Sequence, residues 1–158
     1  MQGSDIRTAV EWLASAAPDP HACRRQWERN PLGVVLLPAG RHWDVLILPG
    51  ELGRSALAVL KLLPARPGPV LAGSGGTRLG FFVPAGTAAH WIGTGVRGAG
   101  RGSWIAVPYP GRARGSVRWL VVPDGRGTLT DPAVLELAMH EAAASRAEGS
   151  AGNRRRRP

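Results

Sequence analysis

The residues best suited to chemistry in this chain are arginines set among glycines. One group is Gly73-Ser74-Gly75-Gly76-Thr77-Arg78, and the other is Arg97-Gly98-Ala99-Gly100-Arg101-Gly102. Glycines let backbone N–H groups come close to an anion, and a guanidinium meets a phosphate with two parallel hydrogen bonds. The first group lacks the Lys-Ser/Thr pair of a P-loop and the spaced glycines of a dinucleotide fold. A plain hairpin turn therefore competes with a phosphate cradle there, as a surface loop does for the second. Arg112 and Arg114, interrupted by Gly111 and Gly115, could extend a basic face or lie in a solvated loop. The expected phosphate contacts are Arg78, Arg97 and Arg101, with Arg112 and Arg114 at the periphery.

Acids are as informative by their absence. No carboxylate lies between Glu51 and Asp124, while Arg54, Lys61, Arg66, Arg78, Arg97, Arg101, Arg112, Arg114 and Arg118 all fall there. Two-metal phosphoryl transfer and paired-carboxylate hydrolysis need converging acids. Only Asp44, Glu51 and Asp124 could approach a central site. His21, His42, His90 and His140 have no metal-ligand spacing. Arg24 and Arg25 beside Cys23 would favour its thiolate, yet no His/Asn set accompanies it. Ser74 and Ser103 lack a nucleophile-elbow context. The expectation is no catalytic residue, no metal and no cofactor.

The chain has 158 residues, 20 Lys+Arg against 11 Asp+Glu, and a net charge of +9. That length suits one domain, and 44% hydrophobic residues suffice for a packed core. A single cysteine excludes an internal disulfide, and no apolar run reaches the ~20 residues that span a bilayer. A cytoplasmic protein without membrane contact is expected. Residues 148–158, ending in Arg154-Arg155-Arg156-Arg157, read as a disordered basic tail on a domain covering 1–147.

Elements must position these groups. Apolar spacing predicts helices from Ser4 to Leu13, from His21 to Arg29, from Leu52 to Leu63, and from Asp131 through about Arg146. The continuous apolar runs Leu32–Leu37 and Trp43–Leu48 read as buried strands. Further strands are expected at Val70–Ala72, Arg78–Val83, Ser103–Val107 and Arg118–Val122, with Gly93 to Gly102 a loop. Trp12, Trp27, Trp43, Trp104 and Trp119 fit core positions, leaving Trp91 the most open. The pattern is α+β, α/β-like, with one mixed or antiparallel central sheet flanked by helices.

Several segments in this order resemble the prim-pol domain, the archaeo-eukaryotic-primase type found in bifunctional DNA primase/polymerases, in a short actinobacterial form. The resemblance runs over residues 6 to 145. It is carried by Gly33-Val-Val-Leu-Leu-Pro38, Trp43-Asp-Val-Leu-Ile-Leu-Pro49, Gly53 with Ala56-Leu57, Ser74-Gly-Gly-Thr-Arg-Leu-Gly-Phe-Phe-Val-Pro84, and Gly95-Val-Arg-Gly98 before Trp104-Ile-Ala-Val-Pro108. It implies that fold, and family activity would be DNA priming and synthesis. Alignment on Pro49 puts the two metal-binding acids at Leu46 and Leu48, the third acid at Gly95, and the phosphate-contacting histidine at Arg78. All four are replaced. Asp44, two residues before Leu46, points to the same side of the strand.

The resulting expectation is a catalytically inactive prim-pol-like domain that binds DNA, RNA or a nucleotide phosphate. The alternative is a protein–protein adaptor whose cleft is closed by Leu46 and Leu48. An active primase/polymerase ranks last. Sequence leaves the oligomeric state open.

Overall fold

The computed structural model describes residues 3–91, 93, 95–112 and 114–155, with backbone alone for Ser4 and residues 150–155. The protein is mixed α+β, ordered α1 (Gly3–Ala14), α2 (Pro20–Arg29), β1 (Val34–Pro38), β2 (Trp43–Pro49), α3 (Gly50–Leu62), β3 (Val70–Gly73), β4 (Arg78–Pro84), α4 (Thr87–His90), β5 (Arg97–Ala99), β6 (Trp104–Pro108), β7 (Arg118–Val121) and α5 (Pro132–Arg155). Five strands form one sheet in the order β5-β2-β4-β3-β7, and β1 and β6 form a separate ribbon. Every pairing is antiparallel.

Local sequence explains the helices. In α2, Asp19 caps the first turn by accepting from the Ala22 N–H at 3.1 Å, Pro20 opens the helix, and Arg29 sits in the last turn. Cys23 and Trp27, four residues apart, form its buried stripe. Helix α5 buries Leu135, Ala138 and Ala142 on one side and ties back to α3 through an ion pair between Arg146 and Glu51.

Strand alternation sorts the sheet residues into two cores. Leu46, Leu48, Leu79, Phe81, Val83, Val70 and Ala72 face α3 and α5, packing on Ala56, Leu57, Leu60, Leu135 and Ala138. Trp43, Val45, Phe82, Leu71 and Trp119 face α1, α2 and the ribbon. Phe82 stacks obliquely between Trp43 and Trp119, with ring centroids 4.5 Å and 5.7 Å away. The indole N–H groups of Trp27 and Trp119 donate to the carbonyls of Val107 and Pro108, clamping the end of β6.

The structure corrects four local expectations. The apolar run in β1 is buried on one side only. Val35 and Leu37 point inward, while Leu36 is 60% exposed and Leu32 75%, because the ribbon has the sheet beneath it and solvent above. Trp104, expected in the core, lies on β6 with 54% exposure for the same reason. The glycine-rich stretch 93–102 contains β5, which pairs its edge with β2 at Val45↔Ala99 and Ile47↔Arg97. Finally, α5 runs nine residues beyond Arg146, to Arg155; residues 156–158 lie outside the described residues. Among the described residues no helix is long and apolar enough to cross a membrane.

Two matched substitutions test this layering. Leu46→Ala, in the fully buried core, should lower unfolding free energy by about 2–5 kcal/mol. Leu36→Ala on the exposed ribbon face should change it by only about 0.5 kcal/mol. Urea titrations monitored by tryptophan fluorescence would measure both, and equal losses would contradict the assigned faces.

Candidate anion-binding site

One open pocket lies at the Pro49 end of β2, on the sheet face opposite α3 and α5. Arg97 pairs across from Ile47, and Arg78 across from Pro49. Directly paired residues project to the same face, so both arginines stand on the Ile47 side and straddle the end of β2. Two strand spacings and two residues of offset separate their backbones by about 12 Å, a gap that two long guanidinium side chains can close on one phosphate. Ile47, Leu48, Pro49, Thr77, Arg78, Gly95 and Arg97 line a pocket of about 340 Å³. Both arginines are solvent-exposed, and no carboxylate is among the lining residues.

A second hollow begins on the other side of Arg78. This groove of about 260 Å³ has Val45, Ile47, Leu71 and Gly80 on the sheet side and Trp104, Ile105 and Ala106 on the ribbon side. Gly73, Ser74, Arg78 and Val117 complete its lining. Ile47 and Arg78 belong to both hollows, so a cationic pocket and an apolar groove meet at one guanidinium. A larger cleft of about 550 Å³ between α1 and α2 has Arg7 and Arg24 balanced by Glu11 and Glu28. It therefore offers an anion no net attraction.

Arg78, Arg97, Gly95 and Leu48 are thus brought together, as half of the residues singled out from sequence. The other four are elsewhere. Arg101 sits in the β5–β6 turn against the β1–β2 turn, where a Cβ on Gly40 would come within 2.6 Å of the Arg101 Cα. That is the far end of β2. Arg112 donates from Nε to the Arg114 carbonyl at 2.7 Å within the β6–β7 loop, so this pair stabilises a loop instead of extending the pocket. Leu46 is wholly buried under α3 and α5.

Leu46 and Leu48 are both fully buried. They project into the helix-covered core, and the side chains beside the open groove are Val45 and Ile47, one register step away. Asp44 shares the Leu46 side and is also buried, 1% exposed. Its Oδ2 accepts from the N–H groups of Gly86 and Ala88, both at 2.9 Å. This oxygen holds the start of α4, while Oδ1 is buried without a hydrogen-bond partner among the described residues. Among the described residues no three His, Cys, Asp or Glu side chains cluster in a metal-binding arrangement.

The glycine turn 73–76 is a single 3-10 turn, with Ser74 at φ 51°, Gly75 at φ 67° and Gly76 at φ 90°. Its backbone donors are partly engaged. Gly75 N–H donates to the Ser116 carbonyl at 3.2 Å, and Thr77 N–H to the Ser74 carbonyl at 3.4 Å. Arg54 donates to the Gly76 carbonyl at 2.7 Å and fixes the turn to α3. The turn thus serves to deliver Arg78 to the pocket rim. Left-handed backbone at Ser74, a non-glycine residue, places the strained position on the groove rim.

Cys23 is buried, and burial pushes its thiol up to about 11, outweighing the opposing pull of Arg24. This reverses the thiolate expected from its arginine neighbours. Asp124 is also shifted. Partial burial pushes its pKa up, but hydrogen bonds from the Thr128 side chain and from the Arg126 and Thr128 N–H groups bring it below the usual value. Its role is to close a turn, far in the fold from Arg78.

Sequence reasoning missed Thr77, Pro49 and the groove residues Val45 and Gly80, and it placed Trp104 in the core. Period-two alternation along β2 was the available signal, since it separates 45 and 47 from 46 and 48. No protein-family model, no curated protein and no solved structure matches the chain.

Two measurements follow from these environments. Asp44→Ala strips the acceptor from two N–H groups and should cost about 1–3 kcal/mol in urea unfolding, whereas an unchanged midpoint would dismiss the capping role. Native Cys23 should resist a thiol reagent at pH 8 and react once the chain is unfolded. Its folded value lies above the ordinary 9.0, so its contribution to stability is complete below about pH 9 and declines as pH rises toward 11. Rapid native labelling would contradict this.

Proposed function

We propose that the protein is a catalytically inactive, prim-pol-like binding module of the cytoplasm that holds a nucleic-acid or nucleotide phosphate between Arg78 and Arg97. One observation carries this reading: the two arginines flank the same carboxylate-free pocket from opposite sides of β2. Two guanidiniums provide bidentate, charge-assisted contacts to phosphate oxygens. The +9 net charge adds attraction to any polyanion. The same pocket lacks the acids that two-metal chemistry needs, which supports retention of a ligand without turnover. The segment order of the prim-pol domain supports the same reading.

Base-specific recognition is not part of the proposal, because phosphate contacts position a ligand and carry no sequence information. Binding should be strongly salt-dependent and nearly indifferent to base sequence.

Fluorescence anisotropy of labelled single-stranded and double-stranded DNA across a salt series tests it. The intact chain, a chain ending at Asn153 and the Arg78→Ala/Arg97→Ala double variant would be compared. The shortened chain should still bind. The double variant should lose affinity at least tenfold, with its slope against log salt shallower by about 1.4 for two lost single-strand contacts. Binding that depends on residues 154–158 alone, or an unaltered double variant, would refute the site.

A further inference from the structure

We infer that the apolar groove beside Arg78 receives an extended, acid-tipped peptide, which pairs with β6 as an added strand. The inference shares Arg78 with the phosphate site proposed above and does not rest on that reading.

The ladder between β1 and β6 determines which backbone groups are free. Ala39 N–H donates to the Ser103 carbonyl at 2.9 Å. In an antiparallel pair, hydrogen-bonded and non-bonded partners alternate. With the register Leu37↔Ile105 and Val35↔Val107, Ile105 and Val107 direct their backbone groups toward β1. Trp104 and Ala106 must then direct theirs away from it. Among the described residues β6 pairs with no other strand, and neither backbone makes a backbone hydrogen bond outside the β1 ladder. An open strand edge of this kind is a template for another chain.

What lies beside that edge distinguishes it from an ordinary exposed strand. Trp104, Ile105 and Ala106 form one wall of the groove, and Val45, Ile47, Leu71 and Gly80 form its floor. An added strand would find hydrogen-bonding groups to its side and apolar surface beneath its alternate side chains. Gly80 keeps the floor low, since a Cβ there would come within 2.9 Å of Val45 Cγ1.

Charge specifies the occupant. Among the described residues Arg78 is the one ionisable side chain lining the groove, Arg97 stands in the adjoining pocket, and no carboxylate occurs between Glu51 and Asp124. A peptide with apolar residues at alternate positions and an acidic end complements all three features. A polynucleotide could satisfy Arg78, but its backbone has no alternating N–H and C=O groups to match Trp104 and Ala106.

The test uses fluorescein-labelled octapeptides of alternating Val and Thr ending in two Glu, or in two Lys as control. Anisotropy should show saturable binding of the Glu peptide and much weaker binding of the Lys peptide. Hydrogen exchange on the native protein should slow at the Trp104 and Ala106 amides when the Glu peptide binds. Ala106→Pro removes an outward N–H without touching the β1 ladder and should weaken the peptide at least tenfold while leaving DNA binding unchanged. Arg78→Glu should reverse the preference between Glu and Lys tips. No saturation up to about 1 mM, or binding that leaves both amides unprotected, would overturn the proposal. So would protection of those amides by oligothymidylate alone. Loss of DNA binding in Arg78→Ala/Arg97→Ala concerns only the phosphate reading, because the amide exchange is read on the unaltered chain.

Discussion

Strand β2 has to satisfy two cores at once, and most of the molecule follows from that. Its seven residues run Trp43 to Pro49 with five of the first six buried. It is flanked by β4 and β5 and covered by α3 and α5 on one face and the tryptophan cluster on the other. A strand buried on both faces has no room for charge unless each charge is matched. The one acid it contains, Asp44, is matched on Oδ2 by two backbone N–H groups, and its Oδ1 is left buried without a partner among the described residues. Only where β2 emerges at Ile47 to Pro49 does the covering end, and there the two arginines from its neighbours reach solvent.

That geometry accounts for leucine at positions 46 and 48. On the helix-covered face, a carboxylate at either position would be stranded among Ala56, Leu57, Leu60 and Leu79, with a desolvation cost no neighbour offsets. Leucines there are what packing requires of this fold, irrespective of any function. The functional question therefore belongs to the other face, where Val45 and Ile47 meet the groove.

Much of the architecture was legible because local signals agreed with tertiary demands. The spacing from His21 to Arg29 announced α2, Trp43 to Leu48 announced β2, and the glycine turn before Arg78 separated β3 from β4. What escaped had contradictory local signals. Arg97-Gly98-Ala99 has no strand propensity of its own and becomes β5 only because β2 offers an unpaired edge. Leu32 to Leu37 reads as buried through its composition, yet whether a strand is covered once or twice depends on how many layers lie around it. Trp104 was misjudged for the same reason. The site was half legible. Arg78 and Arg97 stand out as residue types, but their convergence follows from the pairing of β2 with both β4 and β5, which no local pattern reveals.

The arginines and the groove differ in what they demand of a ligand. Guanidiniums at a solvent-exposed rim attract any anion over distances set by ionic strength, which favours encounter over discrimination. An open strand edge above apolar side chains is indifferent at long range and selective at contact, because main-chain hydrogen bonds require a fixed spacing and direction. Arg78 is common to both surfaces. A ligand that satisfied Arg78 and left Trp104 and Ala106 untouched would use only half of the surface, whereas one reaching both would gain orientation from the edge and charge pairing from the rim. If both proposals hold, sharing that side chain would make the two occupancies compete, and a phosphate held between Arg78 and Arg97 would withdraw the cation on which an acid-tipped strand depends.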